Sequence, residues 1–251
     1  MKSDKLRENQ KINRTVEMSP QVYARIGGVL YLIIIIAGAL GEIFIRGKLI
    51  VSGDALSTAS NIMASPSLWR IGIAGDLLMH VCDIPLMLIF YVLLRPVNKN
   101  LALLALLFNL IQTAVLVLNK LNLLVPLFLL GNADYLKTFQ SNQLSALAYL
   151  FIKAHDYGFG IGLIFFGFAC LVYGYLLFRS GYFPRALGVL MAIASLSYLT
   201  NSFTLILAPA YAGIVFPVLV LALIGELSLC LWLIVKGVDL PKWEERSLES
   251  V

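Results

Sequence analysis

The sequence predicts an all-α fold, a polytopic integral membrane protein of six transmembrane helices with both termini on the cytoplasmic side. Three observations predict it. Apolar residues fill 60% of the 251 positions and charged residues only 13%, with a mean hydropathy of +0.88, more grease than a soluble core can use. Apolar stretches recur near 24–45, 70–94, 100–130, 155–178, 185–208 and 212–235, each long enough to cross a hydrocarbon layer of about 30 Å. Finally, with the N-terminus inside, Lys2, Lys5, Arg7, Lys11, Arg14, Arg25, Arg95, Lys99, Arg179, Arg185, Lys236, Lys242 and Arg246 fall on the cytoplasmic side, 13 of the 19 basic residues. That is the positive-inside bias.

Taken in order, residues 1–20 alternate charged and amide side chains and read as a mobile cytoplasmic tail. The stretch is too long and too acidic for a signal peptide, and no small-residue cleavage pattern follows the first apolar segment, which is expected to stay as an anchor. A six-helix domain spans 21–238. Arg95-Pro96-Val97-Asn98-Lys99-Asn100 and Arg179 through Arg185 read as tight inner turns, with Pro184 suited to the first turn of the fifth helix. The third segment exceeds one crossing, and Pro126 is expected to end or kink it before Asn132 and Asp134. Residues 239–251 form a cytoplasmic C-terminal tail.

The net charge of +5 follows from membrane topology. Basic residues are scattered at helix ends, without the concentrated groove or aromatic interleaving of a nucleic-acid binder, so lipids are the expected partners and no nucleic acid or nucleotide is. Asn13-Arg14-Thr15 matches a glycosylation triplet but lies on the inner side. Cys82, Cys170 and Cys230 stand singly and form no close redox pair.

Asp76, His80 and Asp83 sit inside the second apolar segment. At 100° per residue they fall within about 60° of one another, on a stripe shared with Gly72. Intramembrane ionisable groups line cavities or pair inside a bundle. Rise per residue places His80, Asp76, Glu42, Asn119, Asn201, His155 and Asp156 in the outer half, at heights from about 22 to about 35 Å above the inner helix ends, and Glu226 lower, at about 15 Å. An outward-facing polar chamber is the expectation. Gly38, Gly72, Gly158 and Gly162 allow close helix approach around it, and Pro85 frees the carbonyl of Val81 and is expected to bend the helix.

Three chemistries fit these residues. His80, Asp83 and His155 could ligate zinc or iron, with Asp76 or Asp156 as general base. The same groups could form a hydrogen-bonded network without metal, or a proton or ion relay reaching Glu226. A two-histidine haem is disfavoured, because His80 and His155 differ in depth by about 14 Å. Glu42, Gln112, Asn119, Tyr198 and Asn201, with Asn109, Ser195 and Ser202, could satisfy the carboxylates or bind a polar substrate head. The corresponding function classes are a metal-dependent hydrolase or lipid-modifying enzyme, a proton- or ion-coupled transporter, and a non-catalytic sensor or partner subunit. The lack of an internal repeat weighs mildly against a common secondary transporter.

Ala24 through Tyr31, Asp76 through Asp83, Tyr91 through Asn98, His155-Asp156-Tyr157-Gly158 and Phe178 through Tyr182 with Pro184-Arg185 together resemble the bacterial membrane family catalogued as domain of unknown function 4386. The resemblance runs from about Ala24 to Lys236 and implies a multi-pass protein of the prokaryotic plasma membrane. It supplies no reaction.

Overall fold

The computed structural model describes residues 18–131 and 133–249. Most of the expected N-terminal tail, the Asn13-Arg14-Thr15 triplet and Asn132 lie outside that range. Every regular element among the described residues is helical, as a chain that must satisfy its backbone within each membrane segment requires. In chain order the principal helices are α1 (Pro20–Ala39), α2 (Ala55–Ala64), α3 (Pro66–Leu94), α4 (Lys99–Asn119), α5 (Leu121–Leu129), α6 (Ser141–Ser180), α7 (Arg185–Leu207), α8 (Leu219–Val235) and α9 (Leu240–Glu249). Six runs are long and apolar enough to cross a membrane: Pro20–Leu49, Pro66–Leu94, Lys99–Leu129, Ser141–Ser180, Arg185–Leu207 and Pro209–Val235.

Local chemistry sets the helix ends. Ser19 caps α1 ahead of Pro20, Asp54 accepts from the Ser57 N–H at 2.9 Å to cap α2, and Asn98 does the same for Leu101 at the start of α4. Gln140 and Gln143 form a reciprocal capping box on α6. At the other end of α6, Gly181 takes φ +79°, the left-handed conformation that stops a helix cheaply only at glycine. Pro184 occupies the N-cap of α7, one position before the helix proper.

Two boundaries differ from the sequence expectation. The third span breaks at Lys120, between α4 and α5, and runs on through Pro126 to Leu129. The fourth begins at Ser141 and is 40 residues long, about 60 Å, so part of it extends beyond the hydrocarbon layer. His155 nonetheless meets the Asp76 network, through Lys120. Pro85 lies inside an unbroken α3.

The six spans close into a ring. Each packs on its chain neighbour, α1 on α3, α3 on α4, α4 on α6, α6 on α7 and α7 on α8, and α8 returns to α1. Polar ties hold the closure. Arg25 donates to the Ile234 carbonyl at 2.6 Å, and Gln21 bridges the Lys236 carbonyl and the Val238 N–H at 2.9 and 2.8 Å. At the same end of the bundle, Tyr182 and Trp243 both donate to the carbonyl of Leu93, at 2.7 and 3.1 Å, satisfying an acceptor that the end of α3 leaves open. Trp243 thereby fastens α9 to the bundle.

The tightest seam is α6 against α7. A Cβ on Gly188 would lie 2.6 Å from both the Gly174 carbonyl oxygen and the Phe178 nitrogen, and these backbone atoms cannot step aside. Gly162 likewise admits Leu116, whose Cδ2 would be 2.5 Å from an added Cβ. The Gly158/Gly162 step is thus a real helix contact, with α4. Gly75, by contrast, has nothing within 4 Å of an added Cβ. Gly188→Leu should destabilise the detergent-solubilised protein by about 1–3 kcal/mol or more through overpacking, and Gly75→Leu should be nearly neutral. Thermal unfolding with equal midpoints for the two variants would refute the close seam.

A candidate functional site between two apolar cores

Along α3 the side chains change character twice. Trp69 and Ile73 belong to an apolar cluster with Ile45, Leu123 and Ile152, called outer after the side that the charge bias predicts for it. Leu86, Ile89, Phe90 and Leu93 belong to a larger inner cluster with Tyr31, Cys170, Tyr173 and Leu229. Asp76, His80 and Asp83 lie between the two and are buried. The third span repeats the order, with Ala102 and Ala105 inside, Leu123 and Leu127 outside, and Asn109, Gln112, Thr113, Asn119 and Lys120 between. Successive polar residues spaced at helical intervals therefore face one another across the ring as a polar layer.

The outer part of this layer is ionic. Asp76, 1% exposed, receives Arg46 Nη1 at 2.7 Å and Lys120 Nζ at 2.8 Å, with Arg46 Nη2 at 3.4 Å from its second oxygen. Arg46 Nε in turn pairs with Glu42 at 2.7 Å. Lys120 reaches His155 Nε2 at 3.4 Å. An ammonium has only protons to give, so that ring nitrogen accepts, and the proton of neutral His155 sits on Nδ1. Nδ1 faces Asp156 at 3.9 Å, and Asp156 is half exposed and paired with Lys153 at 3.1 Å. Asn119 donates to the His155 carbonyl at 2.9 Å and accepts from Asn122 at the same distance.

Irregular backbone brings these charges together. Residues Leu40–Arg46 form a π-helical turn, in which the Gly47 N–H reaches the Glu42 carbonyl five residues back. Such turns re-aim the side chains that follow, here Arg46. Gly41 leaves the space: a Cβ there would sit 2.9 Å from Asp76 Oδ1 and 3.2 Å from Arg46 Nη2. Lys120 occupies the break between α4 and α5.

The inner part of the layer is built from hydroxyls, amides and carboxyls. Asp83 accepts from Asn109 Nδ2 at 3.2 Å and from the Thr113 hydroxyl, which also lies 3.3 Å from Gln112 Oε1. Glu226 accepts from the Tyr198 hydroxyl at 2.7 Å. The Tyr173, Ser195 and Ser202 hydroxyls, Asn109 Oδ1 and His80 Nε2 are buried without a hydrogen-bond partner. Tyr31, Asp83, Asn109, Tyr173, Tyr198 and Glu226 come one from each of the six spans, and Asp83 and Glu226 lie within electrostatic reach of each other.

The structure joins Glu42, Asp76, Asn119 and His155 in one network, and places Asp83 with Gln112 and Tyr198 with Glu226 in two others. Asn201 stands on the buried face of α7, apart from all three. His80, Asp83 and His155 do not converge. Among the described residues, no group of three or more His, Cys, Asp and Glu side chains is placed to hold a metal ion. With both oxygens facing cations, Asp76 is a poor general base, and Asp156 lies at the rim. Arg46 and Lys120 are the members that sequence reasoning missed, having been counted as outer-side charges. The available signal was Lys120 itself, a lone ammonium between Val117-Leu118 and Leu121.

Breaking a buried ion pair costs about 3–5 kcal/mol because a charge is left without its partner. Asp76→Asn, which strands two cations, should lower thermal stability more than Lys120→Met, which leaves Asp76 with Arg46. The double variant should be more stable than the sum of the two losses predicts. Additive losses would show that these charges do not act as a unit.

Comparison with known proteins gives kinship without chemistry. An uncharacterized protein of Archaeoglobus fulgidus is 27% identical over 165 residues, covering 66% of this chain and 83% of the relative. No solved structure matches the chain. The family model described as Domain of unknown function (DUF4386) matches residues 26–237, a region that holds all six membrane segments almost in full together with both polar tiers, and the chain belongs to that family.

Proposed function

We propose that this is a proton- or ion-coupled transporter of a prokaryotic plasma membrane, with both termini cytoplasmic. The observation that carries the reading is the polar axis of the ring. Five of the six spans bury polar side chains between the two apolar clusters, and the first adds Arg46; ionisable groups on the lining of a bundle are the usual parts of a relay. Asp76, His80 and Asp83 are steps along α3, and Glu226 continues the series on α8. Counting from the inner ends of α3 and α8, Asp83 and Glu226 lie at similar heights, about 17 and about 14 Å. Two buried carboxyls within electrostatic reach of each other, each held by its own hydroxyl or amide partners, offer successive stations for a proton or small cation. Phe90, packed between Tyr31 and Tyr173 with ring centroids 6.1 and 5.1 Å away, closes the axis below them.

Relay is favoured over hydrolysis because the acid and base groups occupy separate nests at different depths and do not surround one reacting point. The Arg46–Asp76–Lys120 triad suits a gate: protonating Asp76 or exchanging its partners would release two cations at once.

Reconstituted into vesicles with a trapped pH-sensitive dye, the wild type should move protons under an imposed gradient. Asp83→Asn and Glu226→Gln should each reduce the flux at least about tenfold while keeping the thermal midpoint within a few degrees. Wild-type vesicles no leakier than empty ones, across solutes of several classes, would remove the transport reading. For orientation, cysteines introduced at Asp54 and Asp134 in a cysteine-free background should be labelled from outside, and tags at Met1 and Val251 should report inside. Outside labelling of either terminus would overturn the arrangement.

A further inference from the structure

Hydrogen-bond donors outnumber acceptors around Asp76. A guanidinium offers five N–H protons and an ammonium three, with no acceptor on either. Arg46 uses one on Glu42 and two on Asp76, and Lys120 uses one on Asp76 and one on His155. Three protons of this pair therefore have no protein acceptor. His80 Nε2, 3% exposed and also unpartnered, is one helical turn from Asp76 on the same buried face of α3.

Charge is unbalanced in the same direction. Two cations, with side chains 11% and 3% exposed, face one buried carboxylate. The second negative charge comes from Glu42, whose side chain is 61% exposed and touches the nest only through Arg46 Nε. An exposed pair of this kind contributes little. Glu42 is the one acid of the nest able to swing away without rearranging a helix.

We propose that the Arg46–Lys120 nest is a binding site for an anionic oxygen group, a phosphate or carboxylate, and that Glu42 holds its place when it is absent. The guanidinium fork and the ammonium match the oxygens of such a group as charge-assisted donors, and His80 Nε2 would add a third donor when it carries a proton. The group could belong to a free solute or to a lipid headgroup, since the chemistry is shared. This inference rests on the transport reading only in taking the anion as cargo; the binding itself stands apart from it.

The test is calorimetric titration of the full-length protein with inorganic phosphate and with acetate, in maltoside micelles free of other oxyanions. Saturable binding of either anion is expected. Glu42→Gln should tighten it about twofold to fivefold by removing the competing carboxylate, the opposite of what loss of a structural contact would do. Lys120→Met should weaken it at least about tenfold and Lys120→Arg should largely restore it. Repeating the titration in nanodiscs of phosphatidylcholine alone and with phosphatidylglycerol separates the sources. Weaker phosphate binding in the anionic discs assigns the site to a headgroup, and unchanged binding assigns it to a free solute. Absence of binding in both the wild type and Glu42→Gln, or weaker binding in Glu42→Gln than in the wild type, would overturn the proposal. Anion binding without proton flux would keep the site and remove the transport reading, whereas flux without anion binding would remove the site alone.

Discussion

Asp76 carries two cations inside a ring of apolar helices, and much of the outer half of the bundle is arranged around that fact. A carboxylate withdrawn from water is tolerated only when its charge and its lone pairs are both answered. Here the answers come from outside its own helix. Arg46 reaches in from the end of the first span through a π-helical turn, over a glycine that leaves no side chain in the way. Lys120 reaches in from the break in the third span, and His155 backs it from the fourth. Three of the six spans are thereby held in one register by charge and a fourth by a hydrogen bond, in a region where apolar packing alone has little preference for one rotation over another.

The apolar clusters on either side give that network its setting. The inner cluster includes residues of all six spans and gains a polar lock at the end of the bundle where both described chain ends lie, with Gln21, Arg25, Tyr182 and Trp243 taking up the carbonyls that helix ends leave open. The outer cluster is smaller and seats Trp69, whose ring N–H donates to the Leu123 carbonyl at 2.7 Å. Between them, polar groups are shielded from lipid above, below and around. Low local dielectric strengthens each satisfied contact and raises the penalty of each unsatisfied one. Five unpartnered polar atoms in so tightly packed a layer mark where a bound species or a shift in partners would be most favourable.

The two tiers of the layer differ in kind. The outer tier is held by full charges, with protons to spare. The inner one pairs carboxyls with hydroxyls and amides, has no cation, and places Asp83 near Glu226. Donor-rich and acid-rich sites stacked along one axis suit opposite classes of ligand, an oxyanion above and a proton or cation below.

Composition and periodicity were enough to determine the medium, the number of spans, the buried stripe on the second of them and the small-residue contact at Gly158 and Gly162, because burial in lipid leaves its mark on every window of about twenty residues. The tight turns around Pro96 and Pro184 were legible from local composition as well. What only the tertiary structure decided is who meets whom. Asp76 and Asp83 lie two turns apart on one face, yet one ends in an ionic nest and the other among amides, since neighbours from other helices differ with depth. Arg46 and Lys120 read in sequence as surface charges, and their burial depends on a π-turn and a helix break that no hydrophobic pattern encodes. His80 and His155, read in sequence as possible partners, stay apart, and His155 joins Asp76 through Lys120 instead. Local sequence sets the face a residue occupies, whereas the partner it finds there depends on the offset and tilt of whole helices, fixed only when the ring closes.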